Sequence, residues 1–519
     1  MAEFKINDQT LVNALQQEEI KDVICTEKKA LIAELKKKMG TELPEDFNLE
    51  SCKGFEYPLD EKSLTLLKSL LQDGHEEIDY SQEAQLNELW ITLIEKSIIC
   101  LRFFDTREPF LKNSDKKPIA YNIKDLSDYQ KQYSEFEAVL YGSSPYYRDH
   151  VFHSVRTWLI GVFCLLTTEI NDEKESLINK IKLDGLSEKE DFSDDINFFE
   201  KLSIWTIASL CHDMGYPLEK SREVLSTTQK MMKNFIPNPN IWDNFAFNGI
   251  EDTINDYVVK FLSTKMKKKS ENSYLGRVQP KYYLKYTKSL EHFNHGVISS
   301  VILYKMMLYF MESDFNLNDD YEYSKEAARQ FYIRREILRS MASHTCSDIY
   351  NIHLTTFSSM LFICDELQEW GRKHWNDLYA GADENSINLS IEKFSFNEII
   401  CKEEIELKNN DKKQIIKEYI KRFLERQYEY YKIIFRDAQN TGKRQFHFRK
   451  TVDVKLQTGL PKQISFSIIY ELNTESADAF TIDISSFINE DDKEILDFLS
   501  KNKNASDYKN EISINYPEK

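Results

Sequence analysis

His212 and Asp213 stand at the end of an apolar run, Leu202-Ser203-Ile204-Trp205-Thr206-Ile207-Ala208-Ser209-Leu210-Cys211. The run reads as a buried helix, and both polar side chains are costly to bury without a partner. Imidazole beside carboxylate suits a divalent cation such as zinc, iron or manganese. Gly215 and Pro217 are expected to stop the helix, putting the pair where it opens into a cleft. Four further segments carry similar donors. Tyr147-Arg148-Asp149-His150-Val151-Phe152-His153-Ser154-Val155 and Glu291-His292-Phe293-Asn294-His295-Gly296-Val297 each hold two histidines three apart, a spacing that shares a face on a helix. Ser343-His344-Thr345 adds one more, and Asp365-Glu366-Leu367-Gln368-Glu369-Trp370-Gly371-Arg372 adds carboxylates. Eight of the ten histidines fall between residues 141 and 375. Any one of them alone reads as a structural hydrogen-bonding residue; together they read as a metal site.

The elements that must position these residues are mostly helical. Residues 141–378 form the histidine-bearing unit, with Val155 to Leu166 as a core helix and Asn171 to Phe198 as an acidic, polar loop or short excursion. Residues 1–140 read as a helical N-terminal region without visible chemistry. There Leu11, Leu15 and Ile20 begin a stripe, Ala30 to Met39 ends at a Gly40 C-cap, and Leu86 to Phe104 carries Leu89, Trp90, Leu93, Ile94 and Ile98 at helical spacing. Residues 379–519 change to an α+β pattern. Ile387, Leu389 and Ile391 alternate with polar residues, Lys412 to Arg436 reads as a charged helix, and Gln445–Leu456, Ile464–Leu472 and Phe480–Ile484 read as strands. A last helix is expected over Asp491 to Ser500. The run Lys265-Met266-Lys267-Lys268-Lys269 reads as solvated surface.

At 519 residues, two or three domains are expected. The 41% hydrophobic and 13% aromatic content belongs to a folded chain. A net charge of −18 argues against an extended nucleic-acid surface, while a small phosphate ligand stays compatible with a metal cluster's own charge. The eight cysteines lack the short spacings of zinc knuckles or redox motifs and read as reduced core thiols. No signal peptide or membrane span is visible, so a cytoplasmic protein without a membrane partner is expected. A homo-oligomer is compatible with all of this.

Taken in order, His, His-Asp, His, His, Asp resembles the HD-domain superfamily of metal-dependent phosphohydrolases over roughly residues 141 to 375. The resemblance implies a helical HD-domain core and says nothing about either flank; with the helical N-terminal region and the C-terminal α+β appendage read from the sequence pattern, a mainly α fold is expected. It implies His153, His212, Asp213 and Asp365 as ligands of one metal. His295 and His344 fit the positions that members with two metals add, with Asp213 bridging. The string Gly215-Tyr216-Pro217 is a lookalike of the HD-GYP signature but is contiguous with the His-Asp, so that subfamily's cyclic-dinucleotide substrate is not carried over.

The expected function is hydrolysis of a nucleotide phosphoester, a phosphodiester ahead of a triphosphate. The nucleophile would be a hydroxide activated by two divalent ions (Mn, Fe, Mg or Zn). Asp213, His150, His292 and Lys220 are the catalytic candidates, the two histidines as proton donors to the leaving oxygen. Lys220, Arg372 and Arg148 are the phosphate-binding candidates. His353 and His374 read as surface or structural. Two other readings stay open: a di-iron oxygenase with the same ligand order, and a non-catalytic nucleotide sensor or scaffold.

Overall fold

The structure is a computed structural model. It describes residues 4–40, 47–71 (without 50, 51 and 53), 75–105, 118–143, 147–170 (without 169), 176–183, 196–235, 250–349 (without 314 and 317–319), 352–372, 385–407, 446–456, 464–473, 480–484 and 512–515. The N-terminal part carries β1 (Phe4–Ile6), α1 (Asp8–Leu15), α2 (Glu18–Met39), α3 (Glu61–Ser69), α4 (Glu83–Asp105) and α5 (Ile123–Ser143). The middle carries α6 (Val151–Leu166), α7 (Leu177–Lys180), α8 (Phe198–Cys211), α9 (Tyr216–Met232) and α10 (Ile250–Ser263). It continues through the strands β2 (Thr264–Ser270) and β3 (Ser273–Val278), then α11 (Pro280–Glu291), α12 (His295–Met306) and α13 (Leu308–Met311). After β4 (Glu322–Tyr323) come α14 (Lys325–His344) and α15 (Phe357–Leu367). The last described elements are β5 (Asn385–Phe394), β6 (Glu398–Leu407), β7 (His447–Leu456), β8 (Ile464–Asn473), β9 (Phe480–Ile484) and β10 (Ile512–Asn515). The chain is thus mainly helical with a mixed C-terminal sheet. Among the described residues no helix is long and apolar enough to cross a membrane, and all eight cysteines are free thiols.

Every residue of α6 and of α8 is buried. Helices apolar on all sides belong in the middle of a bundle, and here α6 and α8 pack on each other with α4, α14 and α15 around them. Asn197 starts α8: its side chain accepts from the Glu200 N–H while Glu200 reaches back to the Asn197 N–H. Such a box stabilises a helix start by about 1 kcal/mol. Trp158 and Trp205 lock the two helices together: the Trp158 indole donates to Thr206 Oγ1 at 3.0 Å and the Trp205 indole to the Trp158 carbonyl at 3.2 Å. On α14 the buried Arg334 donates to Asp105 at 2.8 Å and to the Tyr309 carbonyl at 2.7 Å, so a charged position is met inside the bundle.

The large sheet has the order β1-β5-β6-β7-β8-β9-β10. β6–β7 and β9–β10 are parallel, and the other pairs antiparallel. Its first strand comes from the opposite end of the chain, with Phe4 opposite Ile391 and Ile6 opposite Leu389. Directly after β1, Asp8 is fully buried. Its carboxylate accepts from Arg156 Nε and Nη2, from the Trp370 indole at 3.0 Å and from the Ile78 N–H at 2.8 Å. The N-terminal segment therefore clasps the loop after α15.

Lys265–Lys269 lies within strand β2, and Lys267, Lys268 and Lys269 are exposed, as a solvated run would be. One local expectation is corrected. Gly215 and Pro217 do more than end a helix: α8 has already stopped at Cys211, and Gly215 is the N-cap of α9, with Pro217 in its first turn. Lys412–Arg436, Asp491–Ser500 and His374 lie outside the described residues.

Candidate metal centre

Four helix ends and one turn deliver the proposed ligands to one place. His153 sits in the first turn of α6, and Asp365 in the last turn of α15. His212 and Asp213 form the turn between α8 and α9. His295 is the first residue of α12 and His344 the last of α14. The two carboxylate oxygens of Asp213 face different neighbours. Oδ2 lies 3.2 Å from His212 Nε2 and 3.8 Å from His153 Nε2. Asp365 Oδ1 closes this half, 2.7 Å from His153 Nε2 and 3.6 Å from His212 Nε2. Asp213 Oδ1 lies 3.1 Å from His295 Nε2 and 3.6 Å from His344 Nε2. All six residues expected as ligands converge, and the buried groups His153, His212 and Asp365, and His212, Asp213 and His344, can each hold a metal ion.

The outer nitrogen of each imidazole is anchored by an oxygen. His153 Nδ1 donates to Gln368 Oε1, His212 Nδ1 to the Ser209 carbonyl at 2.7 Å, His295 Nδ1 to Glu219 Oε2 at 2.8 Å, and His344 Nδ1 to the Met341 carbonyl. With Nδ1 carrying a proton, each ring turns its Nε2 inward, the orientation that metal-binding histidines use. The His295 and His344 Nε2 atoms then face each other at 3.2 Å. Two lone pairs that close repel unless a proton or cation lies between them. His212 Nε2 is buried without a hydrogen-bond partner. The donor set therefore suits metal ions.

The titration behaviour fits the same need for positive charge. Burial opposes a proton on His212, but Asp213 and Asp365 outweigh it and hold His212 at about 10. Burial likewise opposes one on His295, and Asp213 with Glu219 raises it to about 9. His344 is pushed down by burial. Burial also works against ionisation of Asp213 and Asp365, yet the histidines hold both carboxyls well below their usual range.

The cluster floors a cleft of about 350 Å³, near the lower end for a small-ligand site. His150 lines it and stacks on Tyr216 with centroids 3.8 Å apart. Burial holds the His150 imidazole well below its usual range, and its Nδ1 lies 3.1 Å from the Tyr147 hydroxyl. That hydroxyl donates to the buried Glu137 at 2.9 Å, whose carboxyl burial raises to about 8. Arg148 and Arg372 also line the cleft. Arg148 is held by a fork-shaped pair with Glu369. Arg372 donates to the Asp149 carbonyl at 3.0 Å, while its Nε is buried without a partner.

Two candidates are not brought to this cleft. His292 is exposed at the C-cap of α11. Phe293 has φ 58°, so the chain turns between the histidines and their three-residue spacing is not helical. Lys220 is half-buried with its ammonium 5.5 Å from the Tyr216 ring centre, and is not among the cleft-lining residues. His353 is exposed, as a surface histidine would be. Sequence reasoning missed Glu219 and Gln368, the two side chains that orient ligand imidazoles. Glu219 adjoins Lys220, and Gln368 stands in the segment that supplied Asp365, but neither forms a spacing pattern with the histidine it holds. No protein-family model, curated protein or solved structure matches the chain.

Proposed function

We propose that this protein is a binuclear metal-dependent phosphohydrolase of the HD-domain type, acting on a nucleotide phosphoester and favouring a diester. The observation that carries the reading is the division of Asp213: one oxygen toward His153, His212 and Asp365, the other toward His295 and His344. Bound cations supply Lewis acidity, acidifying a water and taking up charge on phosphoryl oxygens. Four imidazoles with two carboxylates favour manganese, iron or zinc over magnesium, which prefers oxygen ligands. Arg372 offers its unpartnered Nε to a phosphate oxygen. Arg148 would do so only by giving up Glu369. His150 is the proton donor for the leaving oxygen. The negative charge of a bound phosphodiester raises the proton affinity of a neighbouring imidazole, and Tyr147 and Glu137 keep the ring in place.

The test is metal content per chain by elemental analysis beside a His212→Ala/Asp213→Ala variant, with turnover of a chromogenic phosphodiester and of nucleotides. About two metals per chain, lost in the variant together with diester hydrolysis, is the expected result. Because the imidazole-rich donor set suits iron equally well, iron with oxygen consumption and no phosphate release would replace this reading with the oxygenase. Ligand binding without turnover would favour a sensor.

A further inference from the structure

Between Lys260 and Lys288 the chain holds nine lysines and arginines and one acid, Glu271, in a protein of formal charge −18. The fold gathers this charge on the β2–β3 hairpin and on α11, which follows it directly. Lys265 stands opposite Arg277 and Lys267 opposite Leu275. Strand alternation turns Thr264 and Met266 inward, and the Met266 N–H donates to the Tyr332 hydroxyl at 3.0 Å. Lys265, Lys267 and Arg277 therefore share the outer face, with Lys267, Lys268, Lys269 and Arg277 exposed. On α11, Lys281, Lys285 and Lys288 recur at helical spacing along one stripe.

The arrangement works against stability. Like charges directly opposite in an antiparallel pair are destabilising, and so are like charges four apart on a helix. Lys260, Lys269 and Lys288 have ion pairs with Asp256, Glu322 and Asp348. Solvation alone would be served as well by the mixed charges found along the rest of the chain.

We propose that the β2–β3 hairpin and the adjoining stripe of α11 bind the phosphate backbone of a nucleic acid. An extended ribbon repeats its outward side chains roughly every 6.5 Å, which offers evenly spaced cations to a linear polyanion. A membrane surface fits less well: the hairpin tip, Ser270-Glu271-Asn272-Ser273, has no apolar residue to insert and carries the acid. The ring of Tyr282 already meets Lys281 at 4.8 Å, Lys285 at 5.9 Å and Arg339 at 4.5 Å. Recognition is therefore by backbone charge rather than by sequence, and the footprint is compact, in keeping with the acidic remainder of the chain.

The experiment uses the full chain in EDTA, so that the metal cluster cannot act on the probe. Fluorescein-labelled single-stranded and duplex oligonucleotides of about 20 nucleotides are titrated by anisotropy at several salt concentrations. Four to six phosphate contacts give a slope of log K against log salt of about −3 to −5. Lys265→Gln/Lys267→Gln/Lys268→Gln/Arg277→Gln should weaken binding by roughly 100-fold or more at low salt and flatten the slope by about 3. Lys267→Arg/Lys268→Arg should bind like the parent, and so should His212→Ala. No binding at low salt, or a parental slope in the quadruple variant with an unchanged melting curve, overturns the proposal. Polyglutamate competing as well as an oligonucleotide of equal charge also overturns it, in favour of an acidic protein partner.

Discussion

Glu219→Ala should weaken one metal site and spare the other. Glu219 Oε2 accepts both the His295 ring Nδ1–H and the His295 backbone N–H, each at 2.8 Å. The first bond fixes the tautomer and ring orientation, and the second fixes the start of α12. Loss of such an outer partner lowers metal affinity 10- to 100-fold, about 1.4 to 2.7 kcal/mol. Because the backbone anchor is lost too, the upper part of that range is expected. The affected half is the one built from Asp213 Oδ1, His295 and His344. Gln368→Ala is the mirror experiment, since Gln368 holds His153 in the other half. Calorimetric titration of chelator-stripped protein with Mn²⁺ or Co²⁺ should resolve two binding events in the parent, each variant weakening a different one. Glu219→Gln, which keeps an acceptor oxygen but loses the charge, should fall between parent and Glu219→Ala. Equal weakening of both events by either variant, or no change in both, would refute the division of the cluster into two half-sites.

Metal affinity should rise with pH. His212 and His295 hold protons up to about 10 and about 9 in the metal-free protein. Both values lie above the ordinary 6.5, so this stabilisation is full below that pH and is lost as pH rises through about 9 to about 10. Bound cations displace those protons, and titration at pH 8 in buffers of different ionisation enthalpy should show about two released per filled chain. Zero release would contradict the assignment. Asp8→Asn should destabilise the fold by roughly 3 to 5 kcal/mol in denaturant melts, because it leaves the buried Arg156 without its carboxylate. In Gly296→Ala the new methyl would meet the Met341 carbonyl at 2.3 Å and His344 Cε1 at 2.9 Å. A cost of about 1 to 3 kcal/mol and selective loss of the His344 half-site are expected, read by melting and by the same titration.

Much of the fold and of the ligand set was legible because it rests on local repetition. The stripe Leu89, Trp90, Leu93, Ile94 and Ile98 is the buried face of α4, the apolar run before His212 is α8, and Ile387, Leu389 and Ile391 lie in β5. What escaped depends on partners distant in sequence. β1 is three residues long, too short for any period, and exists because β5 pairs with it. The lysine-rich β2 has poor strand propensity and is dictated by β3. His292 and His295 look like a helical pair, but the left-handed Phe293 between them sends one outward and the other into the cluster. Glu219 and Gln368 reach their histidines across 76 and 215 residues, a relation no window of sequence contains.

The clasp around Asp8 sets the order in which this protein can be completed during synthesis. Asp8 and Trp370 are 362 residues apart, and β1 waits still longer for β5. At ribosomal speeds of 5 to 20 residues per second, the N-terminal segment leaves the ribosome roughly 20 to 70 seconds before its indole partner is made. Throughout that interval an unpaired strand edge and an acid destined for burial have no place to dock, and the closure entropy of a very long loop remains to be met. The loop carrying Gln368, Glu369 and Arg372 is thus fastened only after most of the helical bundle has emerged. The cleft is among the last parts of the molecule to take shape, and partly made chains have no finished cleft.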